Sequence, residues 1–121
     1  MTIIGSEIIG NTGLALKGGH TMVIDSKVTG TGETQNTPAY SLSGFTDTGD
    51  GIYLETNYPW DVSVEIYGTS TVRGAAQAVR VFATDATNAS VTIYGGTFSS
   101  DVAQFVADGS TYDAATFTVT T

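Results

Sequence analysis

Residues 62–68 read Val-Ser-Val-Glu-Ile-Tyr-Gly, and residues 89–95 read Ala-Ser-Val-Thr-Ile-Tyr-Gly. Five of the seven positions are identical, and both segments alternate apolar and polar residues, as a strand with one buried face does. The two segments begin 27 residues apart, a spacing typical of repeat proteins. The pair therefore predicts an all-β protein in which each repeat is one coil of a solenoid.

The rest of the chain continues the pattern, with short strands separated by corners rich in Gly, Asn, Asp and Ser. It predicts a single domain over residues 1–121, a right-handed three-faced parallel β-helix of about four coils with a period near 27 residues. Because side chains alternate along a strand, the inward residues should stack in apolar columns. The predicted columns are Met1, Met22, Val64, Val91, Phe117; Ile3, Ile24, Ile66, Ile93, Val119; Ile8, Val28, Val72, Phe98; Leu14, Ile52, Val79, Phe105; and Leu16, Leu54, Val81, Ala107.

Two segments depart from this repeat. The step from Ile24 to Ile66 spans 42 residues where the step from Ile66 to Ile93 spans 27, which predicts one inserted corner at 33–48. Its apolar residues, Tyr40, Leu42 and Phe45, should pack back on the solenoid. The second departure is the corner at 56–61, Thr-Asn-Tyr-Pro-Trp-Asp, whose counterpart at 83–88 carries no aromatic residue.

Composition limits the partners and the compartment. The net charge is -8, so nucleic acids and anionic membrane surfaces would meet a field of their own sign. No apolar run is long enough for a membrane span. The absence of cysteine excludes disulfides and thiolate metal sites. An acidic, Thr-rich chain without cysteine favours an extracellular location at a bacterial cell surface.

One part of the chain resembles a known family. The run from Ser90 to Asp101, Ser-Val-Thr-Ile-Tyr-Gly-Gly-Thr-Phe-Ser-Ser-Asp, continues as Val-Ala-Gln-Phe-Val-Ala-Asp-Gly to Gly109. This run, with Gly49-Asp-Gly-Ile-Tyr-Leu, resembles the parallel β-helix repeats of gut-bacterial cell-surface proteins, which are described as adhesins or carbohydrate-binding proteins. The resemblance covers roughly residues 49–110. It implies the fold and a C-terminal end of an array from Ser99, and it carries no site residues.

Elements of catalytic chemistry are sparse. The Gly95-Gly96 pair has no phosphate-loop pattern around it and is explained by a corner that needs positive φ. His20 follows Gly18-Gly19 and is predicted to be an exposed corner residue without a nucleophile partner. The acidic residues are spread over corners, and only Asp47 and Asp50 are close in sequence. The prediction is a protein that is not an enzyme, with no cofactor and no metal site.

A ligand site is predicted where the two departures border one face. On the third strand of each coil the outward positions stack as Ala15, Tyr53, Arg80, Val106 and as Lys17, Glu55, Phe82, Asp108. Aromatic rings bind the apolar side of a sugar, and charged groups bind its hydroxyls. The alternative is that the aromatic corner covers the inserted segment and has no ligand. The candidate ligand-binding residues are Lys17, Tyr53, Glu55, Tyr58, Trp60 and Arg80.

Three functions follow as hypotheses. The first is a non-catalytic extracellular module of a bacterial surface or secreted protein, acting as spacer, adhesin or self-assembling filament subunit. The open ends of a solenoid favour such self-association. The second is a carbohydrate-binding module that recognises a polysaccharide or other glycan through the face around Tyr53, Arg80 and Trp60. The third is a polysaccharide lyase-like enzyme. Separately, Tyr67 and Tyr94 occupy the same outward position in successive coils, which predicts a stacked pair of rings that stabilises the fold.

Overall fold

The computed structural model describes residues 1–32, 49–83 and 85–121. The inserted corner predicted at 33–48, with Tyr40, Leu42 and Phe45, lies outside the described residues. The described chain is nearly all β. Its strands are β1 Thr2–Ile4, β2 Glu7–Gly10, β3 Leu14–Leu16, β4 Gly19–Ile24, β5 Lys27–Gly30, β6 Asp50–Leu54, β7 Val62–Tyr67, β8 Thr71–Gly74, β9 Gln77–Val81, β10 Ala89–Ile93, β11 Gly96–Phe98, β12 Thr111–Asp113 and β13 Thr118–Thr120, with a short 3₁₀ helix at Ala103–Phe105.

The strands form three sheets that the chain visits in rotation. Sheet A has the order β1-β4-β7-β10, sheet B the order β12-β13-β11-β8-β5-β2, and sheet C the order β3-β6-β9. We call each pass through the sheets a circuit: β1–β3 is the first, β4–β6 the second, β7–β9 the third, and β10 and β11 begin the fourth. Pairing is parallel between circuits, whereas β13 runs antiparallel to β11 and β12. This arrangement is compatible with a β-solenoid.

Sheets B and C confirm the predicted columns of the first three circuits. In sheet B, Ile8 pairs with Val28, Val28 with Val72, and Val72 with Phe98. In sheet C both columns from β3 through β6 to β9 are in the predicted register. The inward residues of all three sheets form one hydrophobic core. Matching positions of the sequence repeat therefore supply matching residues of the hydrophobic core.

In sheet A the prediction was wrong at β4 by one residue. Val23 pairs with both Ile3 and Ile66 and is fully buried, while Met22 and Ile24 face outward and are half-buried. A slip of one residue moves every side chain to the other face of a strand. The register has a signature in the sequence, because inward residues on either side of this corner are five positions apart in three circuits: Ile3 and Ile8, Val23 and Val28, Ile93 and Phe98.

The third circuit carries one extra residue at this corner, since Ile66 and Val72 are six positions apart. Gly68 absorbs it with φ of +71°, in the left-handed region that favours glycine. A side chain at Gly68 would also overlap Asp25, whose Oδ1 accepts hydrogen bonds from the backbone N–H of Thr69 (2.9 Å) and from its hydroxyl (3.2 Å). Asp25 is therefore a corner residue at φ of +47°, and the outward column runs Ile4, Ile24, Tyr67, Tyr94.

The fourth circuit also departs from the prediction. Phe117 and Val119 were expected beside β10 in sheet A, but β13 pairs antiparallel with β11 in sheet B. Phe105 and Ala107 were expected beside β9, but the chain turns away through the 3₁₀ helix, and Val106 forms a parallel bridge to Ile93 of β10. Within the described residues no strand follows β9 in sheet C, and a cavity of about 380 Å³ lies between β9, β10 and Phe105.

The Gly95-Gly96 corner behaves as predicted. Gly96 has φ of +133°, and a Cβ on Gly95 would lie 2.7 Å from the carbonyl oxygen of Gly68 in the corner below. Side chains are excluded there because two corners stack closely. The corner of the second circuit uses a serine instead: the Ser26 hydroxyl donates to the Ile24 carbonyl (2.8 Å) and accepts from the Ser6 N–H (3.1 Å).

Asp101 fixes the turn that leads into the C-terminal hairpin. Its Oδ1 accepts hydrogen bonds from the Tyr112 hydroxyl (2.6 Å) and from the Ala103 N–H (3.0 Å). The Tyr112 hydroxyl in turn accepts from the N–H of Val102, which is fully buried. These hydrogen bonds, that from Tyr112 first, hold the pKa of the Asp101 carboxyl below its usual range.

Acid should remove this contribution. Because the pKa of Asp101 is lower in the folded state, its contribution to stability is fully present above the unfolded value of about 3.9 and is lost as the pH falls through the folded pKa. We expect Asp101→Asn to be less stable than the native chain at pH 7 and the difference to shrink by pH 2, measured by urea unfolding. The exposed Asp108→Asn is the matched control. A difference that stays constant with pH would contradict the assignment.

Candidate functional site

The aromatic corner, residues 56–61, joins β6 to β7 and presents Tyr58 and Trp60. Their rings are stacked with centroids 5.2 Å apart and planes within 5°. Trp60 is 53% exposed and Tyr58 is half-buried, so the pair forms an aromatic surface open to solvent. The Lys17 ammonium lies 6.0 Å from the Tyr58 ring centroid. These three predicted site residues are therefore together.

Asn88, one circuit further along the chain, holds this corner in shape. Its side-chain nitrogen lies 3.4, 3.0 and 3.1 Å from the carbonyl oxygens of Thr56, Tyr58 and Trp60. An amide nitrogen has two hydrogens, so these three acceptors share it. Asn88 was not predicted as a site residue, because its corner lacks aromatic residues. The parallel register of β7 and β10, which places Asn88 beside Asp61, is the signal that would have identified it.

Trp60 is also tied to the first circuit. Its indole N–H donates a hydrogen bond to the carbonyl oxygen of Lys17 at 2.6 Å. The ring covers Gly18 so closely that a Cβ there would overlap Trp60 Cδ1 and lie 2.7 Å from Nε1. The position of the indole thus depends on the absence of a side chain at residue 18.

Gly18→Ala should displace Trp60. The added methyl group forces the exposed ring off Gly18 and breaks its bond to the Lys17 carbonyl, so the indole gains contact with water. We expect the fluorescence emission of this single tryptophan to shift to longer wavelength, with a loss of stability of about 1 kcal/mol or less. Lys17→Ala keeps the accepting carbonyl and should leave the emission unchanged. An unaltered spectrum for Gly18→Ala would show that the indole does not rest on Gly18.

The other three predicted site residues form a separate, largely buried polar cluster. The Tyr53 hydroxyl donates to Glu55 Oε2 at 2.8 Å, and the Asn57 N–H donates to Glu55 Oε1 at 3.0 Å. Tyr53 and Glu55 are both buried. The Arg80 guanidinium lies 5.4 Å from the Tyr53 ring centroid, and its Nη1 lies 3.8 Å from Oδ2 of the fully buried Asp50. Ala15, Tyr53 and Arg80 are in the predicted register.

The pKa of the Tyr53 hydroxyl depends on its burial and on the nearby carboxylates of this cluster. Burial, followed by the hydrogen bond to Glu55 and the charges of Glu55 and Asp50, raises the pKa of Tyr53 far above its usual range. Burial lowers the pKa of Arg80. The polar groups of this cluster contact one another and are largely buried, so a ligand that arrives from solvent would contact the aromatic corner instead. Val106 and Asp108, predicted to continue this face, lie beside sheet A.

A further polar group was not anticipated from the sequence. His20 lies in β4 and not in a corner, and it faces β7. Its Nδ1 is 2.7 Å from the Ser63 hydroxyl, and its Nε2 is 3.1 Å from Glu65 Oε1. The prediction that His20 is a corner residue without a nucleophile partner was therefore wrong. The three residues come together because His20 and Ser63 are register partners and Glu65 is the next outward position.

This Ser-His-Glu group has the connectivity of a nucleophile, a base and an orienting carboxylate. Acyl transfer also needs donors directed at a developing oxyanion. The side-chain amide of Asn88 could be such a donor by type, but it is directed at three carbonyl oxygens of the aromatic corner. His20 is half exposed on an open sheet face. We therefore describe the group as a hydrogen-bonded ladder across sheet A, beside the stacked Tyr67 and Tyr94 rings (4.7 Å, 2°).

Metal sites and membrane-spanning helices are two further features to consider in the described residues. Among residues 1–32, 49–83 and 85–121, no three His, Cys, Asp or Glu side chains are grouped to hold a metal ion. No helix in that same part of the chain has the length and apolar character needed to cross a membrane.

Comparison with known proteins adds no family to these observations. Neither a protein-family model, nor a curated protein, nor a solved structure matches this chain.

Proposed function

We propose that the chain is a right-handed, three-faced parallel β-helix and serves as a non-catalytic module of a bacterial surface or secreted protein, of the repeat type noted for residues 49–110. The observation that carries the proposal is the register of the parallel strands, in which apolar columns run through the first three circuits of sheets B and C. Repeat modules of this kind stack a continuous core and leave their faces free for contacts. Such a module suits a spacer or an adhesin.

Localisation tests this proposal directly. An antibody raised against the folded chain should label intact cells that produce it, or should detect the chain in their culture medium. Labelling only after permeabilisation, with none in the medium, would overturn the extracellular assignment. An antibody against a cytoplasmic protein of the same cells serves as the control for lysis.

A second candidate function, glycan binding, is favoured by the aromatic corner. The stacked pair, in which Trp60 is 53% exposed, presents an apolar aromatic surface to water and suits the apolar side of a pyranose. Trp60 is held by Lys17 and Gly18, and its corner by Asn88, so the surface is preorganised for a ligand. The proposed site reduces the six predicted residues to Lys17, Tyr58 and Trp60.

Glycan-array binding by the native chain and two variants tests this second function. The native chain should bind a subset of glycans, Trp60→Ala should lose at least tenfold in affinity, and Tyr94→Ala should bind as the native chain does. Tyr94 is the matched control, because it is an aromatic residue of a second stacked pair on sheet A. Absence of binding by the native chain would eliminate the function. Equal loss in both aromatic variants would place the site elsewhere.

A further inference from the structure

The two ends of the stacked sheets differ. At one end, β1, β2 and β3 are each the last strand of their sheet, so the first circuit presents three sheet edges. At the other end, the antiparallel hairpin β12–β13 closes sheet B beyond β11. Sheet edges with free backbone groups pair readily with another chain. The first circuit is therefore the end at which the edge strands of all three sheets belong to one circuit, whereas at the other end sheet B continues into the hairpin.

The hydrophobic core is also open at the first circuit. Ile8 and Leu14 are half-buried, whereas their column partners Val28 and Ile52 are fully buried. Three of the four large, strongly exposed hydrophobic residues in the described chain belong to this circuit: Met1 (66%), Ile4 (62%) and Ile9 (63%). Apolar side chains concentrated beside sheet edges mark a surface that is covered by a protein partner.

Charge favours a second copy as that partner. The chain carries twelve acidic and four basic residues, and two copies would repel each other over most of their surfaces. Residues 1–18 hold only one of the twelve acidic residues, Glu7, together with one basic residue, Lys17. The first circuit is thus a nearly neutral, apolar end of an acidic molecule. Two copies can approach there without the repulsion that they meet elsewhere.

We propose that two copies of this chain join head to head through their first circuits and form a closed two-fold dimer. A two-fold axis across the stacking direction makes the paired edge strands antiparallel, which extended edges accept. Because both first circuits are occupied in this dimer, a third copy has no first circuit to pair with. The proposal rests on the sheet edges and on the charge distribution, and it holds or fails independently of the proposed surface function.

The backbone of β1 offers a sharp test. Met22 N–H bonds to the Met1 carbonyl, and Gly5 N–H bonds to the Ile24 carbonyl, so alternate residues of β1 face β4. The N–H groups of Thr2 and Ile4 therefore point to the open edge. Thr2→Pro removes one of these donors and keeps the β1–β4 ladder, and proline is tolerated at the first residue of a strand. Ile4→Lys with Ile9→Lys adds charge where edges would meet.

The molar mass of the native chain can be measured by size-exclusion chromatography with light scattering at about 5 to 200 μM, about the range in which a stable dimer forms. We expect a mass of about 25 kDa, twice the 12.5 kDa of one chain. Thr2→Pro and Ile4→Lys/Ile9→Lys should each raise the dimer Kd at least tenfold and give monomers with native circular dichroism. The control Thr97→Lys/Thr120→Lys, at exposed positions of β11 and β13, should remain dimeric. Added salt should tighten the native dimer, because it screens the repulsion of two acidic chains.

Three outcomes would overturn the proposal. A native chain that stays monomeric throughout would remove the second copy as the partner. A mass that keeps growing with concentration would indicate a filament built from both ends. Equal disruption by the control pair would place the contact outside the first circuit. If an edge variant loses its native circular dichroism, the second, chemically different variant decides between these outcomes.

Discussion

Ile66→Ala is expected to lower the free energy of unfolding by about 2–5 kcal/mol. Ile66 is fully buried in β7, between Val23 of β4 and Ile93 of β10. Removal of its side chain leaves a cavity in the middle of a column, where neighbours above and below are held by their own strands and cannot collapse into the space. Urea unfolding followed by circular dichroism measures the loss.

The matched control is Ile24→Ala. Ile24 is the same side chain in the neighbouring strand of sheet A, but it faces outward and is half-buried. We expect it to cost about 1 kcal/mol, as is common for substitutions away from the core. The comparison also tests the register of β4. If Ile24→Ala cost as much as Ile66→Ala, Ile24 would be a core residue and β4 would be displaced by one position.

Arg80→Met is expected to cost about 3 kcal/mol, because it removes a cation that lies close to the fully buried Asp50 carboxylate and so raises the cost of keeping that charge buried. Asp50 is fully buried at the start of β6, and Arg80 is 18% exposed and lies over the Tyr53 ring. Methionine keeps most of the aliphatic volume, so the loss reports the charge and not a cavity. The same urea measurement applies.

Two further variants separate charge from packing at this pair. Arg73→Met changes an exposed arginine of β8 and should lie within about 0.5 kcal/mol of the native chain. Asp50→Asn combined with Arg80→Met removes both charges and should recover part of the loss, since the Asp50 charge that faced Arg80 is removed with it. A double variant no more stable than Arg80→Met would show that the loss comes from packing.

The fold was predictable where the sequence repeats without interruption. The columns through Val28 and Ile52 follow from apolar residues at matching positions in successive circuits. At β4 the pattern was ambiguous, because Met22, Val23 and Ile24 are all apolar and either alternation satisfies a periodic rule. Only the five-residue distance to Val28 across the corner distinguishes the two registers.

The C-terminal part illustrates a different limit. Phe105 and Val119 have the apolar character of column residues, but strand direction is not encoded in alternation. The reversal depends on tertiary hydrogen bonds such as Tyr112 to Asp101.

The candidate site also has a part that was predictable from the sequence and a part that was not. Lys17, Tyr58 and Trp60 were predicted together from their places in the repeat, whereas burial of Tyr53 with Glu55 and the contacts of His20 depend on three-dimensional packing.

The bond from Asn88 to the aromatic corner makes that corner a shared property of two neighbouring repeats. A protein engineer who transplants residues 56–61 onto another scaffold would move the rings but leave behind the amide that shapes their backbone. The portable unit is the corner together with the asparagine that lies beside Asp61 in the next repeat. The asparagine carries the backbone shape of the corner, while a tryptophan at position 60 also needs the Lys17 carbonyl and the absence of a side chain at Gly18.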